Sequence, residues 1–255
     1  MIVGLQDRVV LITGAASGIG AAIAREVANA GAAGLMLTDR DTTGLETIAR
    51  ELHARHFVAD LASPDAPGKI MQATLQAFGR VDGLVNAAGL TTRAALTKAS
   101  AAAWDMLFAV NSRAPFFLMQ AAVADMLARK AAGAIVNILS INAHCGSPDL
   151  AVYSASKGAL AVLTKNTAQA HMADRIRANG INLGWVATPS EQHMQAEILG
   201  RGTGWLAEEE AKAPLGRLVQ AEEAARLAVF MLSDASAPMS GVLADLEQHV
   251  TGAPR

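Results

Sequence analysis

The sequence predicts one α/β domain, a doubly wound parallel sheet of about seven strands with helices on both faces. Short, continuous apolar runs alternate with helical stretches along the 255 residues, as expected for strands that are buried on both faces. A glycine-rich turn joins the first apolar run to the first helical stretch. No repeat, low-complexity tract or Pro/Gly-rich linker divides the sequence, so residues 1–255 are predicted to form a single domain.

Apolar runs bounded by turn residues are the predicted strands. They are, in order, Val9–Ile12, Leu35–Thr38, His56–Val58, Val81–Asn86, Ala134–Leu139, Gly180–Leu183 and Val242–Leu246. The predicted helices lie between them, at Gly18–Ala30, Thr43–Leu52, Ala66–Phe78, Ser100–Arg129 (one helix or a pair), Val152–Asn179 and Glu222–Leu232. The segment 189–214 is irregular and holds three glycines beside Trp205, which is typical of a lid, so we expect it to form a substrate loop.

Composition and charge exclude several classes of protein. Hydrophobic residues make up 52% of the chain and charged residues 17%, which is too apolar for intrinsic disorder. The 21 basic and 23 acidic residues nearly balance, so the basic stripe of a nucleic-acid binder is not expected. The single cysteine suits a reducing compartment, and no apolar stretch resembles a signal peptide or a membrane span. We expect a cytoplasmic protein with neither nucleic-acid nor membrane partners.

The turn Thr13-Gly14-Ala15-Ala16-Ser17-Gly18-Ile19-Gly20 is the first chemical signal. Between a strand and a helix, glycines let the backbone approach a pyrophosphate, and the helix N-terminus offers free N–H groups. A Walker A loop is excluded because Ala21 stands in place of its lysine, and the spacing also departs from G-x-G-x-x-G. The turn therefore predicts dinucleotide contacts at Gly14, Ser17, Gly18, Ile19 and Gly20.

Residues at the carboxyl ends of the following strands extend the predicted site. Asp39 ends the second strand, where its carboxylate is suited to bind an adenosine ribose and would repel a 2′-phosphate. NAD is therefore favoured over NADP, although Arg40 would serve a 2′-phosphate if Asp39 turned away. The residues that follow the third and fourth strands are further predicted cofactor contacts: Asp60, Leu61, Asn86, Ala87 and Gly89.

Ser140, Tyr153 and Lys157 are the second chemical signal. Ser140 ends the fifth strand, and the four-residue spacing of Tyr153 and Lys157 places both on one face of a helix. The reference pKa of a tyrosine, about 10, is too high for a base at neutral pH, but a nearby ammonium lowers it. The trio predicts proton transfer by Tyr153, the only tyrosine in the chain, with Lys157 stabilising the phenolate and Ser140 holding a substrate oxygen.

Taken together, these motifs resemble the short-chain dehydrogenases/reductases, from about Gln6 to about Gly241. The resemblance implies a single-domain Rossmann-like fold. It also implies that the T-G-x-x-x-G-I-G turn and the segment Asn86-Ala87-Ala88-Gly89 bind the cofactor. Val186 and Thr188 match a segment of the family in which the threonine contacts the nicotinamide carboxamide.

The resemblance further implies a catalytic tetrad of Asn111, Ser140, Tyr153 and Lys157. In the family the tyrosine is the general acid/base and the serine positions the substrate. The lysine binds the nicotinamide ribose and lowers the tyrosine pKa, while the asparagine holds a water in a proton relay. Tyr153 and Lys157 are thus expected to contact cofactor as well as to take part in catalysis.

Two positions depart from the family pattern. Leu183-Gly184 stands where the family has Pro-Gly, and the missing proline frees one backbone dihedral beside the nicotinamide pocket. The C-terminal V-D-G-G is replaced by Leu246-Glu247-Gln248-His249, which bears on substrate class and assembly. Neither change touches the tetrad.

Polar and amphipathic residues in the substrate-facing segments are predicted to bind substrate beside Ser140 and Tyr153. They are Asn142, His144, Trp185, Gln192 and Trp205. Their character favours a hydroxylated substrate over a long acyl chain. A metal at His53 and His56 is not expected because no Cys/His cluster completes a site, and Cys145 is expected to line the pocket rather than act as a nucleophile.

The sequence therefore predicts an NAD-dependent oxidoreductase that interconverts a secondary alcohol and a ketone on a sugar, polyol or similar small hydroxylated substrate. One alternative is a 3-oxoacyl-thioester reductase, which would prefer NADPH. Another is a non-catalytic dinucleotide sensor or scaffold, against which the complete tetrad argues. The resemblance implies a homotetramer, with a dimer as the alternative, and contact surfaces on the helices Ser100–Arg129 and Val152–Asn179.

Overall fold

A computed structural model describes residues 3–144 and 146–251, in which seven parallel strands form one sheet. The strands are β1 Val9–Thr13, β2 Gly34–Asp39, β3 Arg55–Val58, β4 Gly83–Asn86, β5 Gly133–Ser140, β6 Ile176–Leu183 and β7 Leu243–Leu246. Their order across the sheet is β3-β2-β1-β4-β5-β6-β7. The chain winds outward from β1 to β3 and then returns to place β4 on the other side of β1. The loops after β1 and β4 therefore diverge and leave a crevice at the carboxyl edge of the sheet.

Helices cover both faces of the sheet, as the sequence predicts. They are α1 Gly18–Asn29, α2 Thr42–Glu51, α3 Ala66–Phe78, α4 Ala101–Phe108, α5 Ala114–Ala128, α6 Ala151–His171, α7 Pro189–His193, α8 Trp205–Glu210 and α9 Ala221–Leu232. One π-helical turn, Ala109–Arg113, joins α4 to α5, and a second, Met194–Ile198, follows α7. Within the residues that the structure describes, every helix is too short or too polar to span a bilayer.

The apolar runs in the sequence are explained by cores on the two sides of the sheet. Val10 and Ile12 of β1 belong to the core beneath α1 and α9, whereas Leu11, between them, belongs to the core beneath α3, α5 and α6. All three side chains are fully buried. A strand with both faces buried needs apolar residues at every position, so it shows no alternating pattern in the sequence.

The prediction of one long helix over Val152–Asn179 is wrong in its last part. The helix α6 ends at His171, and β6 begins at Ile176 rather than at Gly180. The first half of this strand has no continuous apolar run in the sequence, because the polar residues Arg177 and Asn179 are buried in it. The Arg177 guanidinium donates to the carbonyls of Met231 (2.9 Å) and Ser233 (2.8 Å), and these bonds replace those that water would supply. The other six strands differ from their predicted bounds by at most two residues.

The segment 189–214, predicted as an irregular loop, contains α7, the second π-helical turn and α8. It crosses the carboxyl edge of the sheet and is held by side-chain contacts of its own. Arg201 donates to Gln195 (3.1 Å) and pairs with Glu209 (2.7 Å), which links the π-helical turn to α8. The segment is therefore an ordered wall beside the crevice.

Candidate active site

A cleft opens at the carboxyl edge of the sheet, where the strand order reverses. Its floor is formed by the turns after β1, β2, β3, β4, β5 and β6, and its outer wall by the segment 189–214 and the residues after β7. Segments that are far apart in the sequence meet here because parallel strands all point their carboxyl ends to this edge.

The glycine turn approaches its neighbours too closely for side chains to fit. A Cβ atom at Gly14, where φ is +69°, would stand 2.7 Å from the backbone nitrogen of Ala88. At Gly20 a Cβ atom would collide with the carbonyl group of Gly14. Thr13 fixes the facing segment, because its Oγ1 accepts hydrogen bonds from the N–H groups of Ala87 and Ala88, both at 3.1 Å. The residues of the turn that line the cleft are Gly14, Ser17, Gly18, Ile19 and Gly20.

Asp39 and Arg40 lie at the end of the cleft beyond β2. The Asp39 carboxylate accepts hydrogen bonds from the N–H groups of Ala16 and Asp41, both at 3.1 Å, so that it is fixed against the glycine turn. Arg40 is exposed and has no side-chain hydrogen bond or ion pair within residues 3–144 and 146–251. The next turn contributes Asp60 and Leu61 to the same wall.

The segment after β4 reaches the cleft through Ala87, Ala88 and Gly89. Asn86 lies beneath them, where its buried amide donates to Oδ1 of Asn137 at 2.8 Å. This position makes Asn86 a support for the wall rather than part of it. Gly89 leaves space for a cation, since a Cβ atom there would stand 3.3 Å from Nζ of Lys157.

Lys157 extends from α6 into the centre of the cleft. Its Nζ donates to the carbonyl of Ile138 at 2.7 Å, and the side chain is almost completely buried. Burial disfavours the charged form and lowers the pKa of Lys157 to about 8. The group therefore remains an ammonium at pH 7 despite its burial.

Tyr153 lies one turn earlier on α6, and its phenol faces the same cleft as Ser140. Burial raises the pKa of Tyr153, and a nearby Glu191 carboxylate raises it further, while the Ser140 hydroxyl and the Arg93 guanidinium act in the opposite direction. The net direction is upward, because desolvation outweighs the stabilising contacts around the phenol. A lowering of this pKa by Lys157 stays a prediction.

Asn111 is fully buried in the π-helical turn between α4 and α5. Its Oδ1 accepts a hydrogen bond from the N–H of Leu90 at 2.8 Å, and its Nδ2 donates to the carbonyl of Leu90 and to Oγ of Ser156, both at 3.0 Å. The side chain thus ties the segment after β4 to α6, just behind Tyr153. A water held by Asn111 stays a prediction.

The turn after β6 brings Trp185, Val186 and Thr188 to the cleft. Thr188 caps α7, since its Oγ1 accepts a hydrogen bond from the N–H of Glu191 at 3.2 Å. The Thr188 methyl group also lies against Gly18, where a Cβ atom would approach it to 3.3 Å. Thr188 therefore stands between the glycine turn and the outer wall.

Of the predicted substrate residues, Ser140, Asn142, Tyr153 and Trp185 line the cleft, whereas His144, Gln192 and Trp205 do not. Trp205 is fully buried and stacks behind Trp185, with its Nε1 donating to Gln192 Oε1 at 2.7 Å. His144 instead pairs with Asp245 of β7 at 3.0 Å. The prediction that these three side chains face the substrate is therefore not supported by their positions in the structure. Cys145 lies outside the described residues.

Two charged residues near the Tyr153 phenol, Arg93 and Glu191, were not predicted from the sequence; the Glu191 charge raises the pKa of Tyr153 and the Arg93 charge lowers it. Arg93 pairs with Asp149 at 3.1 Å and with Glu191 at 3.7 Å, and Glu191 also accepts a hydrogen bond from Trp185 Nε1 at 3.0 Å. The sequence position of Arg93 could have indicated it, because Arg93 follows Gly89 by four residues and so lies near the ligand-binding edge of the sheet. Within the described part of the chain, no three His, Cys, Asp or Glu side chains form a group suited to a metal.

The cleft fits a nicotinamide dinucleotide. The close approach at Gly14 and Gly20 leaves backbone N–H groups open at the start of α1, which suits a pyrophosphate. Asp39 lies where a ribose would be bound, and Tyr153 and Lys157 lie at the other end. Dinucleotides bind across such a crevice, at the point where the strand order reverses.

Comparison with known proteins agrees with this geometry. A family model described as enoyl-(acyl carrier protein) reductase matches residues 14–245. 2-(S)-hydroxypropyl-CoM dehydrogenase 3 of Xanthobacter autotrophicus is 35% identical to this chain over 244 residues, which cover 93% of this chain and 94% of that protein. Gluconate 5-dehydrogenase of Gluconobacter oxydans is 34% identical and covers 94% and 93%. L-sorbose reductase of Gluconobacter frateurii, solved with NADPH and L-sorbose, has a TM-score of 0.90 at 29% identity and covers 100% of both chains.

These relatives bear on the predicted cofactor and activity. A nicotinamide dinucleotide is supported, but the expected preference for NAD over NADP is not, because the L-sorbose reductase structure contains NADPH. The relatives are enzymes that act on alcohols or ketones, which argues against the sensor or scaffold alternative. The chain belongs to the short-chain dehydrogenase/reductase family and is an NAD(P)-dependent oxidoreductase acting on CH–OH groups.

Proposed function

We propose that this enzyme interconverts a secondary alcohol and a ketone on a sugar, polyol or similar small hydroxylated substrate, with NAD as its preferred cofactor. The arrangement around Tyr153 carries the proposal. The phenol faces the cleft beside the Ser140 hydroxyl, and the buried Lys157 ammonium follows one turn along the same helix. Polar groups of Asn142 and Trp185 line the space next to it, as a hydroxylated substrate requires.

Tyr153 acts as the general acid and base. In alcohol oxidation the phenolate accepts the hydroxyl proton, and in ketone reduction the phenol returns a proton to the carbonyl oxygen. The bound cofactor supplies the chemistry of hydride transfer. Ser140 hydrogen-bonds the same substrate oxygen and holds it near the phenol. Because burial raises the pKa of Tyr153, the phenolate depends on positive charge nearby, and Lys157 provides it.

Asp39 is the basis for proposing NAD. Its carboxylate is fixed by two backbone N–H groups at the end of the cleft that suits an adenosine ribose. A negative charge held in place there repels a 2′-phosphate and accepts hydrogen bonds from ribose hydroxyls. The NADPH in L-sorbose reductase favours the opposite choice, and Arg40 is the group that would then bind the phosphate.

Replacement of the phenol tests the proposed function. Tyr153→Phe keeps the ring and removes the titrating hydroxyl, so we expect turnover to fall by about 10³-fold with cofactor affinity nearly unchanged. Turnover is followed by nicotinamide absorbance on a panel of sugars, polyols, steroids and acyl thioesters, and affinity by fluorescence of the reduced cofactor. Near-normal turnover of the best substrate by the variant would show that Tyr153 is not the acid/base.

A 3-oxoacyl-thioester reductase is the second candidate function. One relative, 31% identical over 242 residues, is a 3-oxoacyl-(acyl-carrier-protein) reductase of Thermotoga maritima, which favours this function. Acetoacetyl-CoA with NADPH and L-sorbose with NADH separate the two. A higher kcat/KM with the thioester and NADPH would establish the second candidate and set aside the first.

A further inference from the structure

We propose that Glu247 makes this enzyme select neutral hydroxylated substrates over anionic ones, and that Gln248 holds Glu247 in place. The inference rests on the proposed function, because it names the substrate class of the same cleft. Both residues lie in the segment where the sequence departs from the V-D-G-G of the family it resembles.

Gln248 ties the C-terminal segment to the end of the outer wall. Its Oε1 accepts a hydrogen bond from the N–H of Leu215 at 2.9 Å, and its Nε2 donates to the carbonyl of Arg217 at 2.7 Å. The side-chain amide thus satisfies a backbone donor and a backbone acceptor two residues apart, in the manner of a neighbouring strand. A glycine at this position has no group that could form either bond, so the attachment is a property of this chain.

Glu247 is consequently held at the cleft. Its carboxylate lies over the α-carbon of Gly184, so close that a side chain at 184 would collide with its oxygens. Oε1 also accepts a hydrogen bond from the N–H of Gln248, which fixes the direction of the carboxylate. Glu247 lines the cleft together with Gly184 and Trp185, so its carboxylate borders the space that a substrate would enter.

The basic residues around the substrate end of the cleft leave Glu247 unbalanced, because they pair with other carboxylates. Arg93 pairs with Asp149 (3.1 Å) and Glu191 (3.7 Å), and Lys212 pairs with Glu209 (3.0 Å). Arg217, which borders Glu247 just outside the cleft, pairs with Glu223 (2.8 Å). Glu247 forms no ion pair within residues 3–144 and 146–251. A carboxylate without a counter-charge in a confined cleft repels an anionic substrate and accepts hydrogen bonds from substrate hydroxyls.

Pairs of ketones that share the reacting carbonyl but carry a neutral or an anionic remote group test this inference. L-Sorbose and 5-keto-D-gluconate share the ketone and its neighbouring carbons, but the remote end is a hydroxymethyl group in one and a carboxylate in the other. Ethyl acetoacetate and acetoacetate form a second such pair if neither sugar is reduced. Both ketones of a pair are assayed at the same pH, here 8. The measured quantity is the ratio of kcat/KM for the neutral ketone to that for the anionic ketone.

We expect wild type to favour the neutral ketone by about tenfold or more in kcat/KM. Glu247→Gln should lower this ratio by about tenfold, because the KM of the anionic ketone falls. Glu46→Gln is the matched control, because it removes an exposed carboxylate of α2 that does not line the cleft. Gln248→Gly should lower the ratio in the same direction with Glu247 intact.

A ratio that is the same in wild type and Glu247→Gln, or a wild-type preference for the anionic ketone, would overturn the inference while leaving the proposed function standing. The second result would assign substrate recognition to Arg93 instead. Absence of turnover on every ketone with either cofactor would refute the proposed function, and the inference would fall with it.

Discussion

Lys157 combines a catalytic position with a cost in stability. Its ammonium is buried with one hydrogen bond, to the Ile138 carbonyl, and without an acidic partner within residues 3–144 and 146–251. A pKa of about 8 against an ordinary value of 10.5 means that the folded state binds this proton less tightly than the unfolded state. The difference corresponds to about 3 kcal/mol against the folded state when the group is charged.

Lys157→Met should therefore give a more stable but inactive protein at pH 7. We expect a gain of about 1–2 kcal/mol, because the unpaired Ile138 carbonyl offsets part of the relief. Between about pH 8 and pH 10.5 the folded wild type loses this proton while the unfolded state keeps it, so the stability of wild type rises with pH. The stability advantage of the variant should therefore shrink over that range. Urea unfolding at pH 7 and 9.5 measures it, with the exposed Lys165→Met of the same helix as control. A variant less stable than wild type at pH 7 would contradict the prediction.

Asp39 is the residue at which cofactor choice is decided. Asp39→Asn removes the charge that opposes a 2′-phosphate and keeps one side-chain oxygen, which can accept from only one of the Ala16 and Asp41 N–H groups. We expect the ratio of Kd for NADP to Kd for NAD to fall by about tenfold, with NAD affinity reduced only slightly. Fluorescence titrations with both reduced cofactors at low salt provide the ratio. If wild type already binds NADPH more tightly than NADH, the role given to Asp39 is wrong.

The π-helical turn Ala109–Arg113 is the element that places Asn111. An extra residue in the turn between α4 and α5 directs this side chain inward, toward both Leu90 and Ser156. A continuous α-helix over Ser100–Arg129 was one of the two predicted forms, and the sequence does not signal the turn within it. Its position beside the catalytic helix agrees with the frequent occurrence of such turns at functional sites.

Removal of the Asn111 amide should therefore loosen two elements at once. Asn111→Ala leaves the N–H and C=O of Leu90 without their partners and removes a bond to Ser156, so we expect a loss of about 2–4 kcal/mol in the free energy of unfolding. Ser156→Ala removes only one of these three bonds and should cost about 1 kcal/mol. Equal losses in the two variants would show that the bonds to Leu90 do not hold the segment.

The elements that the sequence predicts well are those whose pattern is local. Apolar strands and glycine-ended helices depend on neighbouring residues, and so does the spacing of Tyr153 and Lys157 on one helix face. The start of β6 depends instead on Arg177, whose partners lie more than fifty residues later. Trp205 and the Arg93–Glu191 pair depend in the same way on the packing of 189–214, which no local pattern encodes. The direction of the Tyr153 pKa shift likewise follows from burial in the whole cleft.

At the scale of the whole molecule, the outer face of α5 carries exposed apolar side chains. Phe116 and Phe117 are 39% and 42% exposed with their rings in contact, and Leu127, three turns later on α5, is 40% exposed. Val162 of α6 is 67% exposed. A helix that is apolar on every side, as α5 is, is expected to be buried on every side. The homotetramer expected from the sequence, with these two helices as contact surfaces, stays a prediction; a contact on α5 would cover these side chains.

A charge on this surface should therefore change the assembly. Phe117→Glu places a carboxylate among apolar side chains, and burying it against a second copy without a partner is strongly unfavourable. We expect wild type to sediment as a tetramer and the variant as a smaller species with its own helical content retained, as measured by analytical ultracentrifugation and circular dichroism. Val58→Glu is the matched control, because Val58 is an apolar residue of similar exposure on β3, at the far edge of the sheet. A monomeric wild type would refute the predicted assembly. A tetramer that tolerates Phe117→Glu but not Val58→Glu would place the contact surface elsewhere.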